Sequence, residues 1–173
     1  MSDRHHVQPE AYHLKPTAHC PNNDVPVLIY RNVLSSLDED RVFQGSSELV
    51  FGEGVSDPVG TGVRCLVRAG DVVVVPAGVG HASVSQTEGA GEQPSDESEY
   101  RYVGVYPEGS PVYKYEIGKK ALEETSVLAE EVAAVPLPQT DPIFGVDGPL
   151  MRIWTASRSS HVNQAMNRTV EFK

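Results

Sequence analysis

The chain is short of several things that would assign it quickly. Its 173 residues hold Lys+Arg 14 against Asp+Glu 24, a formal net charge of -10. The basic face that nucleic acid or an anionic membrane would need is therefore missing, and neither is expected as a partner. No apolar run approaches a membrane span, and the first residues, Met1-Ser2-Asp3-Arg4-His5-His6, are polar. Cysteine is scarce: Cys20 and Cys65 sit far apart, with no CxxC or metal-type spacing. Cys65 alternates with Val63 and Val67, which favours a buried free thiol over a disulfide or a catalytic thiol. These features predict a cytoplasmic protein, in which the sequon Asn167-Arg168-Thr169 carries no weight. There is no P-loop, no dinucleotide fingerprint and no Ser-His-Asp order. Gly52-Glu53-Gly54 lacks the strand–helix context of a nucleotide loop. Nor does an H-x-H triplet occur anywhere.

What is present is a β pattern. Gly 15 and Pro 13, with hydrophobic residues at 39%, favour a turn-rich β domain with polar ends over a helical bundle. Val25-Pro26-Val27-Leu28-Ile29-Tyr30 reads as the first strand, with Pro26 placing it at an edge or a strand start. Ser47 to Phe51 alternates, and Val63 to Arg68 alternates better. Gly70-Asp71 turns the chain into Val72-Val73-Val74-Val75, which reads as a buried strand. Pro76 and Gly78 then force a turn, and His81 opens Ala82-Ser83-Val84-Ser85. Short strands at this spacing predict a sandwich or barrel and not a βαβ unit.

The domain plan predicted is a polar arm over 1–24, which holds four of the six histidines, and one domain over 25–154. A mobile acidic loop is expected over 86–99, and a disordered tail over 155–173. Tyr100 to Tyr106 reads as a strand closed by Pro107. One helix is expected from about Lys119 to Val132, with Leu122, Thr125, Leu128, Ala129 and Val132 on one side and Glu123, Glu124, Glu130 and Glu131 opposite. Pro136 and Pro138 should stop it.

The spacing G-x5-P-x-G-x2-H over Gly70–His81 resembles the second motif of the cupin superfamily. Together with Pro26–Leu34, Gly45–His81, Val103–Pro107, Asp141-Pro142-Ile143-Phe144-Gly145 and Gly148-Pro149-Leu150, it is similar to the small YjlB-like cupins of bacteria and fungi. That resemblance implies a mainly β fold, a double-stranded β-helix or jelly-roll barrel with one C-terminal helix, and a histidine at 81 that ligates a metal. It also implies a first motif, H-x-H with a following Glu, upstream of Gly45. Between Val33-Leu34 and Phe43-Gln44-Gly45 there are only Ser35 to Val42, so the barrel is expected to lack about two strands. Asp38 stands at the family's Glu offset, in surroundings that do not read as a strand. The N-terminal segment, a second subunit, or a transcript lacking an exon would account for the gap.

The family's divalent transition metal thus meets an incomplete ligand set: one imidazole, His81, cannot hold such an ion. The bland alternative is a histidine packed in the barrel and bonded to a neighbour. Ser83, on the face of His81, and Tyr102 and Tyr106, further along, are the candidate ligand-binding residues. Tyrosines in such a pattern more often form an amphipathic outer face or a dimer contact. Two readings follow: a non-metal barrel binding a small molecule, and a metal-dependent oxygenase, isomerase or epimerase built on His81. A third, an interaction protein docking through the acidic loop, has no specific support. A homodimer is the expected assembly.

Overall fold

The computed structural model describes residues 7–34, 45–84, 101–107 and 117–170, with side chains placed up to residue 160. The fold is mainly β. Six strands run in order: β1 (Glu10–Tyr12), β2 (Val27–Tyr30), β3 (Ser46–Phe51), β4 (Val63–Arg68), β5 (Val72–Val74) and β6 (His81–Val84). They form two three-stranded antiparallel sheets, ordered β1-β2-β5 and β4-β3-β6. Two α-helices follow, α1 (Ser126–Ala134) and α2 (Pro149–Val170).

β2 is the centre of the molecule. Val27, Leu28, Ile29 and Tyr30 are all wholly buried, although neighbouring side chains on a strand point to opposite faces. Both faces must therefore be covered. Val27 and Ile29 meet Phe51, Cys65, Val67 and Val79, which belong mainly to the second sheet. Leu28 and Tyr30 meet Leu150 and Trp154 of α2, with Ile143 and Phe144 beside them. The layers are sheet, sheet and helix, and the unbroken apolar run Val27–Tyr30 is the sequence form of a strand covered on both sides. Pro26 precedes the strand proper, where a missing N–H breaks no ladder bond.

The order of the strands corrects the expectation for the four valines. Among the described residues β5 is the outer strand of its sheet and pairs with β2 alone, through Leu28↔Val74 and Tyr30↔Val72. Its three residues are therefore half-buried. The N-terminal segment adds a strand to the same sheet. Glu10–Tyr12 lies antiparallel on the other edge of β2. Arg31 fastens it there: its Nε and Nη2 donate to the two Glu10 carboxylate oxygens at 2.9 and 2.7 Å, and its Nη1 donates to Asp71 at 2.8 Å. The Tyr12 hydroxyl donates to Glu10 at 2.6 Å.

Two further expectations change. No named strand forms over 101–107, where every residue is exposed, so Tyr102 and Tyr106 have no strand to place them on a common face. The segment expected to be disordered after Trp154 continues α2 to Val170. The helix starts well: Pro149 sits at the first helical position, where its preset φ and absent N–H cost nothing. Met151, Ile153 and the wholly buried Leu150 then pack inward. The α1 region follows its predicted stripe. Leu122, Thr125, Leu128, Ala129 and Val132 are half-buried, and Glu123, Glu124, Glu130 and Glu131 are exposed. Its first turn, Leu122–Thr125, is 3-10, and the helix ends at Ala134 before Pro136. The acidic stretch 86–99 and Ser85 lie outside the described residues. Among the described residues no helix is long and apolar enough to cross a membrane.

Candidate functional site

The Pro-x-Gly-x-x-His turn is built for position before chemistry. Gly70 ends β4, and Asp71 accepts from the backbone N–H of Arg68 and Asn32 and from Arg31, tying two sheets at one carboxylate. Gly78 has φ +79, and a Cβ there would stand 2.4 Å from Cγ1 of Val132, so only glycine admits both the turn and the helix against it. The chain then enters β6, where His81 pairs with Phe51 on β3.

The His81 imidazole is exposed, and its Nδ1–H donates to the Val79 carbonyl at 3.1 Å. Because a carbonyl only accepts, this bond puts the proton on Nδ1, and in the neutral ring Nε2 then carries the lone pair. His81 is thus bonded to a neighbour, as the bland reading expects, but it is not packed inside. Ser83 stands exposed two residues along the same strand. Tyr102 and Tyr106 are 70% and 69% exposed. Among the described residues, no group of three His, Cys, Asp or Glu side chains could hold a metal ion. The residues placed here do not fit a cupin-type metal.

The C-terminal signatures also have an architectural role. Asp141 is buried, and its two carboxylate oxygens accept from Ile143 N, Phe144 N and Leu150 N and from the Tyr30 hydroxyl at 2.5 Å. One side chain closes the Asp-Pro-x-x-Gly turn, caps α2 and grips β2. Burial alone would raise the Asp141 pKa, but the Tyr30 hydroxyl and the three amides outweigh it and hold the carboxyl below its usual range. Tyr30 moves the other way: burial first, then its bond to the carboxylate, pushes the phenol far above its ordinary value. Gly148 must stay bare, since an added Cβ would lie 2.1 Å from that of Asp141.

A cleft of about 340 Å³ opens beside the second sheet, lined by His13, Leu14, Lys15, Pro16, Thr17, Gly52, Thr61 and Val63. Its volume lies in the range of small-molecule sites. Its rim is held by a polar cluster beneath it. The Thr17 hydroxyl donates to Asp57 at 2.7 Å and accepts from the backbone N–H of Cys20 at 2.8 Å. Asn22, with φ 48, donates from Nδ2 to Lys15 O at 2.8 Å and Gly52 O at 3.1 Å. Asp57 also accepts from Gly54 N at 2.8 Å. Burial works to raise the Asp57 pKa, but the Thr17 and Gly54 bonds and the nearby His19 hold it below the usual value. Asn22 Oδ1 and Asp57 Oδ1 are buried with no hydrogen-bond partner among the described residues. Such local violations collect at functional or strained sites.

Sequence reasoning missed this cleft, because residues 13–17 read as part of a loose arm. The signal available was the Thr17-x-x-Cys20 spacing followed by Asn22-Asn23, residue types that bond back to their own backbone.

The comparisons with known proteins are spare. No family model matches the chain, and no solved structure matches it. Over 87 residues it is 34% identical to a Bacillus subtilis protein titled "Uncharacterized protein YjlB", a match covering 50% of this chain and 45% of that protein. The chain thus spans less than half the length of the curated relative it matches, and its similarity is to part of a YjlB protein.

Proposed function

We propose that the chain is a cupin-like β protein that binds a small organic molecule without a metal, in the cleft between residues 13–17 and Gly52, Thr61 and Val63. The observation that carries this reading is the cleft of about 340 Å³ resting on a backbone held by Asn22, Thr17 and Asp57. A rim fixed before binding costs less to order when a ligand arrives. Two buried cysteines, Cys20 and Cys65, that are not joined in a disulfide support a reducing, cytoplasmic setting. A homodimer is part of the proposal. Among the described residues the outer edges of β1, β4, β5 and β6 carry no strand partner, and a second copy would cover such edges.

The test is a thermal-shift screen of the full chain against chemically varied small molecules. At least one class should raise Tm, and Thr61→Trp, filling the cleft from an exposed position, should cancel that rise without lowering the unliganded Tm. A screen with no shift, or a shift that survives Thr61→Trp, rejects the reading.

The second reading, a metal-dependent cupin enzyme, is favoured by the exposed His81 ring, whose Nδ1 bond to Val79 O leaves Nε2 as the lone-pair nitrogen of the neutral form. It requires ligands beyond the described residues. Stoichiometric iron, manganese, nickel or zinc in the purified protein, lost in His81→Ala, would support it. Substoichiometric metal indifferent to that substitution would remove it.

A further inference from the structure

We propose that the cleft selects a small organic carboxylate with an apolar body; this rests on the cleft being the binding site. Several polar groups of the lining are already engaged. Gly52 offers none, since its N–H donates to Gly80 O at 2.7 Å and its carbonyl accepts from Asn22. The Thr17 hydroxyl is engaged with Asp57, His19 N and Cys20 N. The Thr61 hydroxyl donates to Pro58 O. Among the described residues, the Lys15 ammonium and the His13 ring have no hydrogen bond or ion pair, and both residues are exposed at the rim.

Among the lining side chains Lys15 thus presents an unspent cationic donor, with His13 beside it and no carboxylate among the lining residues. A ligand meeting it must supply acceptors, and negative charge strengthens each such bond. Lys15 carries the one formal charge in the lining, and the Asp57 carboxylate beneath the rim is turned to Thr17 and Gly54 through Oδ2. Leu14, Pro16 and Val63 line the same space, and Leu14 and Val63 continue into the core packed on β2. They provide the apolar wall for the body of the ligand.

Calorimetric titration of the full chain at low ionic strength with hexanoate, 1-hexanol and hexylamine separates charge from apolar fit. Hexanoate should bind about five- to tenfold more tightly than hexanol, with hexylamine weakest. Lys15→Ala should bring hexanoate down to hexanol and leave hexanol unchanged, while Lys15→Arg keeps the preference. Thr61→Trp should remove both ligands. Equal binding of hexanoate and hexanol, or a preference that survives Lys15→Ala, overturns the carboxylate assignment. If hexanol still binds and Thr61→Trp removes it, that failure leaves the cleft itself standing. If none of the three ligands binds, the carboxylate assignment and the cleft reading both fall.

Discussion

Asp141 joins three parts of the molecule through one side chain. Its four donors come from the Asp-Pro-x-x-Gly turn, from α2 and from β2, and the Tyr30 partner is 111 residues away in sequence. Replacing it with alanine strands a buried phenol and buried amides, a loss of about 3 kcal/mol or more. The sign of its pH dependence follows from the lowered pKa. Stability is fully present above the unfolded carboxyl value and is lost as pH falls through the lower folded one. Asp57 acts in the same direction, as does Glu10, held down to about 2 by its bonds from Arg31 and Tyr12. Asp141→Asn should therefore give a shallower loss of stability, in urea midpoints, as pH falls below the ordinary carboxyl range. An acid limb as steep as that of the parent would rule out this carboxylate as its source. The sequence showed an aspartate before a proline with a glycine four positions on, which signals a turn. It could not show Tyr30, because nothing local links positions 30 and 141.

At the scale of elements, legibility tracked how far each element is specified by its own residues. β4 matches its alternation from Val63 to Arg68, with Cys65 and Val67 buried and Arg64, Leu66 and Arg68 exposed. The α1 stripe was readable for the same reason. β1 was hidden because Glu10-Ala11-Tyr12 has no apolar pattern of its own; β2 and the Arg31 clamp make it a strand. The later part of α2, rich in Ser, Thr and Asn, has poor intrinsic helix propensity and gave no signal. Tyr102 to Tyr106 erred the other way, an alternating run that forms no named strand. The meeting of α1 with the Pro-x-Gly turn supplies a test. Gly78→Ala should cost about 2 kcal/mol or more, from a strained φ and a collision with Val132. Adding Val132→Ala removes the collision and leaves the strain. A double-mutant cycle should then show coupling of about 1 kcal/mol or more. Strict additivity would mean that the helix does not bear on the turn.

The whole molecule is organised around one strand covered on two sides, and it was the covering that the sequence concealed. The run Val27–Tyr30 announced burial, but which elements lay on each face depended on contacts more than a hundred residues apart. The candidate site was less legible still. Its rim and floor come from residues 13–17, Gly52, Thr61 and Val63, three segments with no shared motif. Trp154 makes the packing measurable. It is the one tryptophan of the chain, its indole Nε1–H donates to Pro26 O at 2.9 Å, and it sits against β2. If the three layers unfold as one unit, tryptophan fluorescence and far-ultraviolet circular dichroism should give the same urea midpoint. Fluorescence that changes first would show α2 leaving a sheet pair that survives without it.

The double covering of β2 has a consequence for how the protein is made. Translation produces Leu28 and Tyr30 long before Leu150 and Trp154, the residues that close over them. Throughout that interval the nascent chain carries an oily stripe on an early strand, open to any neighbour on a crowded polysome. Slow elongation between these points should therefore favour aggregation, and a chaperone that shields the stripe until α2 emerges should raise the yield.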